Sequence, residues 1–463
     1  MSRLLDLFKE HDCVPALTQT RVNPDQVLRS RLEGLSASDR EYWAFRGNSR
    51  RGHAHALFQY PAMMVPQMQG ELIRAVIAAR PGVTSAFDPF VGSGTTLTES
   101  MIHGFRFTGW DINPLAILLC LTKAGPFYPA ALAKKFREIM RQVDADRSTE
   151  LETELPRLEK WFRRDVAVDL SRIRRAVRSE GAIWARRFFW VALAEAARLS
   201  CNSRTSTFKL HLRSKQDLLS HRPSPLQIFE EAVERNIRHF ETQCSLLKES
   251  TLITRGRYIH PIQIRLRDAT KQQHNPNPTS GHDLLISSPP YGDNKSTVPY
   301  GQYSYLPLNW IDGEDIVENW DSGWLKSTHE IDTRSLGGVL ARNVDPIGEL
   351  SALSPAFRGV ESALKTYPRD RIKRVGIFCR DLNRCLNPIL DEMRPGAYLV
   401  WTVGNRRVGG VSIPLDRILT DLLTARGCQQ VAELGRRIVS KRMAVKNSVT
   451  DTMRAESVLV FRK

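Results

Sequence analysis

Ser85-Ala86-Phe87-Asp88-Pro89-Phe90-Val91-Gly92-Ser93-Gly94-Thr95-Thr96 reads as a strand, a glycine-rich turn and the start of a helix. Gly92 and Gly94 permit a tight turn and let the backbone approach a ligand with no Cβ in the way. Thr95 and Thr96 are candidate caps for a helix beginning near Leu97, whose free N–H groups favour a carboxylate or phosphate. A P-loop requires Gly-Lys-Ser/Thr, and no Lys follows Gly94; the dinucleotide spacing Gly-x-Gly-x-x-Gly fails as well. A structural turn that holds no ligand is the alternative. Working outward, Phe105-Arg106-Phe107-Thr108-Gly109-Trp110-Asp111-Ile112-Asn113-Pro114 is a second strand ending in an acid, 17 positions beyond Gly94. An acid about 20 residues past a glycine turn suits a ribose diol.

Further along, Asp283-Leu284-Leu285-Ile286 is a short apolar run of the buried-strand kind, and it ends in Ser287-Ser288-Pro289-Pro290-Tyr291. Those residues belong on the C-terminal rim of a strand, where open α/β sheets bind ligands. Two prolines fix the backbone and donate no N–H, so their carbonyls are free to accept from a substrate amine. The Ser288 hydroxyl is a further acceptor and the Tyr291 ring a flat stacking face. Plain loop punctuation is the competing reading of the Pro-Pro pair. A third strand, Ile262-Gln263-Ile264-Arg265-Leu266, leads into Arg267-Asp268-Ala269.

On these residues the chain resembles the amino-methylating DNA methyltransferases, whose catalytic motif is (Ser/Asp/Asn)-Pro-Pro-(Tyr/Phe). The resemblance implies an α/β, Rossmann-like sheet that binds S-adenosylmethionine (SAM), here with an inserted α-helical region. It assigns Asp88, Pro89, Phe90, Gly92, Ser93, Gly94 and Thr95 to the first cofactor motif, and Asp111 with Ile112 to the ribose. Phe58, Tyr60 and Pro61, followed by Met64-Val65-Pro66, match the segment over the methionine end of the cofactor, and Asp268 matches the adenine contact. Ser288, Pro289, Pro290 and Tyr291 become the catalytic motif: the Ser288 hydroxyl and the Pro289 carbonyl accept from the exocyclic amine while Tyr291 stacks on the base. The serine form points to cytosine N4, with adenine N6 as the alternative. Many serine-type members carry the catalytic motif before the cofactor motif; here the order is reversed, which leaves the target-recognition region open.

The formal charge of +17 favours a polyanionic partner, double-stranded DNA on this reading. Seven scattered cysteines without a Cys-x-x-Cys pair suggest neither zinc nor a disulfide framework, and suit a reducing cytoplasm. No apolar run is long enough to span a membrane, and acids interrupt the apolar N-terminus from Met1 to Glu10, unlike a signal peptide. No metal is expected.

Gly94 and Ser288 are 194 positions apart, far more than two neighbouring strands need. The expected organisation is an N-terminal extension (1–50), a cofactor-binding half (51–125), a helical insertion (126–254) and a catalytic half (255–463). Helical periodicity is expected over 138–147, 150–164 and 166–178, and again over 372–393 with a break at Pro388. The insertion is crowded with Arg163, Arg164, Arg172, Arg174, Arg175, Arg178, Arg186 and Arg187, either solvated helix faces or a phosphate-binding surface. The stretch from Ser200 to His211 breaks the helical pattern with hydroxyls and cations and is a second candidate for nucleic-acid contact. Val298 to Trp310 reads as an aromatic loop over a base pocket, residues 320–367 as a substrate-facing segment, and Ser440 to Asn447 as a basic loop near the same rim. The rival functions are methylation of RNA or of a protein amide, and an idle SAM-binding module that only binds DNA. A cognate restriction or defence protein is a candidate partner.

Overall fold

The computed structural model describes residues 23–39, 41–46, 52–272, 281–339, 347–365, 367, 369–438 and 455–463. The expected N-terminal Met1–Glu10 feature and the basic loop Ser440–Asn447 lie outside the described residues. Two helices, α1 (Pro24–Ser38) and α2 (Pro66–Ala79), precede β1 (Ser85–Asp88), α3 (Thr95–Ile102), β2 (Arg106–Asp111) and α4 (Pro114–Lys123). A helical region follows: α5 (Pro129–Ala145), α6 (Leu158–Trp161), α7 (Arg164–Arg178), α8 (Ile183–Ser200), α9 (Lys215–Ser220) and α10 (Pro225–Glu249). The small hairpin β3 (Ile253–Thr254) and β4 (Arg257–Tyr258) leads back to β5 (Ile262–Leu266) and β6 (His282–Ser287). Then come α11 (Tyr300–Leu308), α12 (Glu330–Arg334), α13 (Ile347–Leu353), α14 (Pro355–Leu364), α15 (Arg369–Asp391) and β7 (Met393–Val403). A second hairpin, β8 (Arg406–Val408) and β9 (Val411–Ile413), precedes α16 (Leu415–Thr424), β10 (Gln429–Arg437) and β11 (Ala455–Arg462).

Seven strands form one sheet in the order β10-β11-β7-β6-β1-β2-β5. From β7 to β5 all pairings are parallel, whereas β11 is antiparallel to both β7 and β10. The sheet separates two cores by strict alternation. Ala86, Leu284, Ile286, Tyr398, Val400, Val458 and Val460 face one of them. Phe87, Leu285, Leu399, Trp401, Leu459 and Phe461 face the other. Strands buried on both faces read as continuous apolar runs, which is why 283–286 was legible. The first core also takes in α7, α8 and α10, so the helical region and the sheet share one hydrophobic interior. The α/β, Rossmann-like sheet with an inserted helical region is therefore the observed architecture.

Several local expectations are corrected. Residues 150–164 do not form one helix: only Leu158–Trp161 is helical before α7 begins at Arg164. Pro156 disfavours helical geometry in Leu155, and side chains serve the backbone instead, Ser171 Oγ accepting from Glu152 N–H at 3.0 Å and Thr153 Oγ1 from Leu155 N–H at 3.3 Å. Tyr300–Leu308, expected as a loop, is a helix with Pro307 in its last turn. Pro388 likewise does not break α15, since it stands only three residues from the helix end. Thr95 and Thr96 do not cap α3. Gly94, at φ 76°, is its N-cap; Thr96 Oγ1 donates to the Ile286 carbonyl at 3.3 Å and Thr98 Oγ1 to the Gly94 carbonyl at 3.0 Å.

Candidate active site

Strand β1 runs to β2 and β5 on one side, and the chain crosses back to place β6 on the other. The β1/β6 boundary is a topological switch point, and the crevice outside its C-terminal ends is where such sheets bind ligands. An open cleft lies there. It gathers residues that follow four adjacent parallel strands: Pro89, Phe90, Gly92, Ser93 and Thr95 after β1; Asp111 and Ile112 at the end of β2; Asp268 after β5; and Ser288 with Pro290 after β6. Tyr60 and Pro61 close one side. Of the other expected residues, Phe58, Asp88, Gly94, Pro289 and Tyr291 stand behind this lining.

The glycine turn is held by the acid that follows β2. Gly92 N–H donates to Asp111 Oδ2 and Asn113 N–H to Asp111 Oδ1, both at 2.8 Å. Gly92 has φ 49°, a conformation costly for other residues, and a Cβ there would face the Tyr60 ring at 3.7 Å. Burial pushes the Asp111 carboxyl up to about 6, against the pull of the Asn113, Gly92 and Ile112 N–H groups. Beneath the turn, Lys123 is buried and its Nζ donates to the Ser93 carbonyl at 2.6 Å; burial lowers its pKa to about 8. Asp88 is wholly buried, accepts from Ser287 Oγ at 2.6 Å and from Phe90 N–H at 3.1 Å, and is raised to about 7 by burial. It ties the ends of β1 and β6 together rather than facing the cleft.

On the β6 side, Ser288 Oγ lies 3.1 Å from Tyr291 Oη, and Tyr291 donates to Glu456 Oε1 at 3.0 Å. Arg436 Nη1 donates to Glu456 Oε2 at 2.6 Å. The Tyr291 ring packs against the second core, and burial and the Glu456 carboxylate hold its hydroxyl well above the usual tyrosine range. The loop after Tyr291 is pinned by Arg406, which donates to Ser296 Oγ at 2.8 Å; a Cβ on Gly292 would strike the Arg406 guanidinium.

Several lining residues were not singled out individually, although Tyr300 and Arg334 to Leu336 fall within stretches expected to face the substrate. Tyr300, on α11, stacks with Tyr60 at 5.7 Å between centroids. Arg267 lies over the Trp110 ring at 3.6 Å, and its N–H donates to the Asp111 carbonyl at 2.8 Å. Asn294 is buried at the cleft wall with Oδ1 unpartnered, and Arg334, Ser335 and Leu336 complete the far wall. The aromatic richness of 298–310 was a signal for Tyr300; nothing local marked Asn294. Among the described residues no group of three or more His, Cys, Asp or Glu side chains could hold a metal ion.

The cleft fits SAM by its own chemistry. A carboxylate fixed by two backbone N–H groups suits a diol, the backbone is bare at Gly92, and Phe90, Ile112, Ala269 and Leu336 offer apolar surface for a purine. The unpartnered Asn294 oxygen supplies an acceptor within the same wall.

The helical region resolves differently. Arg163 pairs with Asp165, Arg174 and Arg178 with Asp312, Arg175 with Asp146, and Arg186 with Asp315. The Arg163 pair is local to the start of α7, whereas Arg174, Arg175, Arg178 and Arg186 clamp α7 and α8 to the chain around 146 and 312–315. The segment from Cys201 to Leu212 instead folds back on itself through a Ser203–Leu212 bridge and packs Phe208 against Tyr303 of α11. It leaves Arg204 and Lys209 exposed.

No protein-family model matches the chain. Among solved structures, the rRNA methyltransferase aviRa from Streptomyces viridochromogenes is 11% identical, covering 87% of this chain and 86% of that one at a TM-score of 0.28, too slight a likeness to build on. Among described proteins, the chain is similar to the Type II methyltransferase M.MvaI from Kocuria varians, 27% identical over 455 residues that span 95% of this chain and 97% of that one. The similarity to a type II methyltransferase thus runs along nearly the whole of both chains.

Proposed function

We propose that the protein is a SAM-dependent DNA methyltransferase acting on the exocyclic amine of a flipped base, cytosine N4. The observation that carries this reading is the placing of the Ser288 hydroxyl and the Asp111 carboxylate in one cleft at the switch point. The full-length likeness to a type II methyltransferase supports it. When bound, SAM supplies an electrophilic methyl group. The chain's own residues hold the cofactor with Asp111, Asp268 and the glycine turn, and hold the amine with Ser288 Oγ, while the Pro289 carbonyl, which the resemblance names as a second acceptor, belongs to a residue behind the lining. An aromatic amine is a poor nucleophile because its lone pair is delocalised. Acceptors around its two N–H bonds favour tetrahedral nitrogen and stabilise the positive charge that develops on methyl transfer. The base reaches this cleft only by leaving the helix, so flipping is part of the reading. Arg204 and Lys209 in the 201–213 segment are the proposed phosphate contacts. A cytoplasmic setting and a cognate restriction or defence partner accompany the proposal.

Incubation with labelled SAM and unmethylated bacterial DNA, followed by nucleoside mass spectrometry, tests it. N4-methylcytosine that disappears in Ser288→Ala is the expected result. N6-methyladenine overturns the base assignment alone. Label in RNA or a protein amide overturns the substrate, and SAM binding with no transfer leaves an idle DNA-binding module.

A further inference from the structure

A serine hydroxyl accepts from a substrate amine only if its own proton points elsewhere, since one O–H group carries one donor and two lone pairs. Ser288 meets that condition through a chain of partners. Arg436, with its side chain 5% exposed, donates to Glu456 Oε2 at 2.6 Å. The other oxygen of the same carboxylate, Oε1, accepts from the Tyr291 hydroxyl at 3.0 Å. With its only proton committed to Glu456, Tyr291 Oη can meet Ser288 Oγ, 3.1 Å away, solely as an acceptor. The Ser288 proton is thereby turned toward Tyr291, and the remaining lone pairs of Oγ are free for the cleft.

We propose that Tyr291, Glu456 and Arg436 are positioning residues that set the direction of the Ser288 hydroxyl and so keep its oxygen an acceptor for the substrate amine. The inference rests on the methyltransferase reading above and assigns the Tyr291 hydroxyl a role that ring stacking does not need. Two observations favour it over a purely stacking tyrosine. The Tyr291 ring packs against the second core with Phe90 and does not line the cleft. Its hydroxyl also ends a buried ion pair contributed by the distant strands β10 and β11, a costly arrangement for a group that only packs. Burial and Glu456 keep that hydroxyl protonated, as the direction of the chain requires.

Tyr291→Phe keeps the ring and removes the relay. Steady-state kinetics on unmethylated DNA should show kcat reduced about tenfold or more, the scale of one hydrogen bond in a charged network, with KM for DNA and SAM nearly unchanged. Glu456→Gln should lower kcat in the same way, and SAM affinity by calorimetry should match wild type in both variants. Tyr291→Phe combined with Ser288→Ala should be no slower than Ser288→Ala alone, because the relay acts only through Ser288. Turnover of Tyr291→Phe within twofold of wild type overturns the proposal, as do losses that multiply in the double variant. Should Glu456→Gln fail to fold, Tyr291→Phe and the double variant decide the matter. A wild-type protein that methylates no DNA fails at the earlier step and removes the underlying reading itself.

Discussion

The helical region and the strand-end rim use polar side chains in opposite ways. In the helical region arginines find acids: Arg186 donates to both oxygens of Asp315 at 2.6 and 2.7 Å, and Trp190 Nε1 adds a third bond at 2.7 Å. Along the rim, polar groups are fixed from behind and open in front, as with Asp111 held by two N–H groups and Ser288 by Tyr291. A dense run of arginine is therefore no guide to a phosphate surface when tertiary partners have already neutralised it. In this molecule the better candidates are Lys209 and Arg204, the latter held only by a long, exposed pairing with Asp217 at 4.0 Å.

The contrast is open to experiment. The largest effect belongs to the rim: Ser288→Ala should lower kcat by roughly 100-fold or more, while SAM binding by calorimetry and the melting temperature stay close to wild type. A parallel fall in stability would make Ser288 a structural residue and blur the contrast. In the helical region the expectation reverses. Asp315→Ala strips three donors of their acceptor and should cost about 3 kcal/mol in urea unfolding. SAM affinity should survive in the folded fraction.

Asp88 lies between the two cases, a rim residue facing inward. Its folded carboxyl takes up a proton near pH 7, against 3.8 as the unfolded reference. A group whose folded pKa is raised binds protons more tightly in the native state, so its stabilisation is present in acid and lost as pH rises from about 4 to about 7. Asp88→Asn should flatten that loss, by roughly 2–3 kcal/mol, in unfolding curves compared at pH 5 and pH 8. An unchanged slope would place the Asp88 charge in contact with solvent. The smallest effects separate the two sets of cations. Arg204→Ala and Lys209→Ala should each weaken DNA binding a few-fold and reduce its salt slope by about one. Arg178→Ala, which loses contacts to Glu152 and Asp312, should leave DNA affinity within about twofold and act on stability instead. Equal DNA defects in both sets would erase the comparison.

Much of the rim was legible beforehand. The Gly92–Gly94 turn, the acid closing β2 and the Pro-Pro break after β6 are local events, each set by backbone freedom or its removal. Tyr60, Phe90, Asp111, Asp268 and Ser288 accordingly meet in one cleft. The 150–164 segment misled because its apolar spacing is helical while Pro156 and the hydroxyls of Thr153 and Ser171 satisfy another backbone. Tyr300–Leu308 misled in the opposite sense, since glycine and proline suggest a loop. There Pro307 falls in the last turn, and Asp332 accepts the Gly301 N–H at 2.7 Å in the first.

Taken alone, the sequence determined the strand–turn–helix units and the chemistry at the strand ends, because these depend on dihedral limits and side-chain alternation within a few residues. Only the tertiary structure decided which charges were free and which way a hydroxyl pointed. Tyr291 and Glu456 are 165 positions apart, and Arg186 and Asp315 are 129. Strand order and helix packing bring such partners together, and no local pattern encodes a contact whose two halves are chosen by the fold.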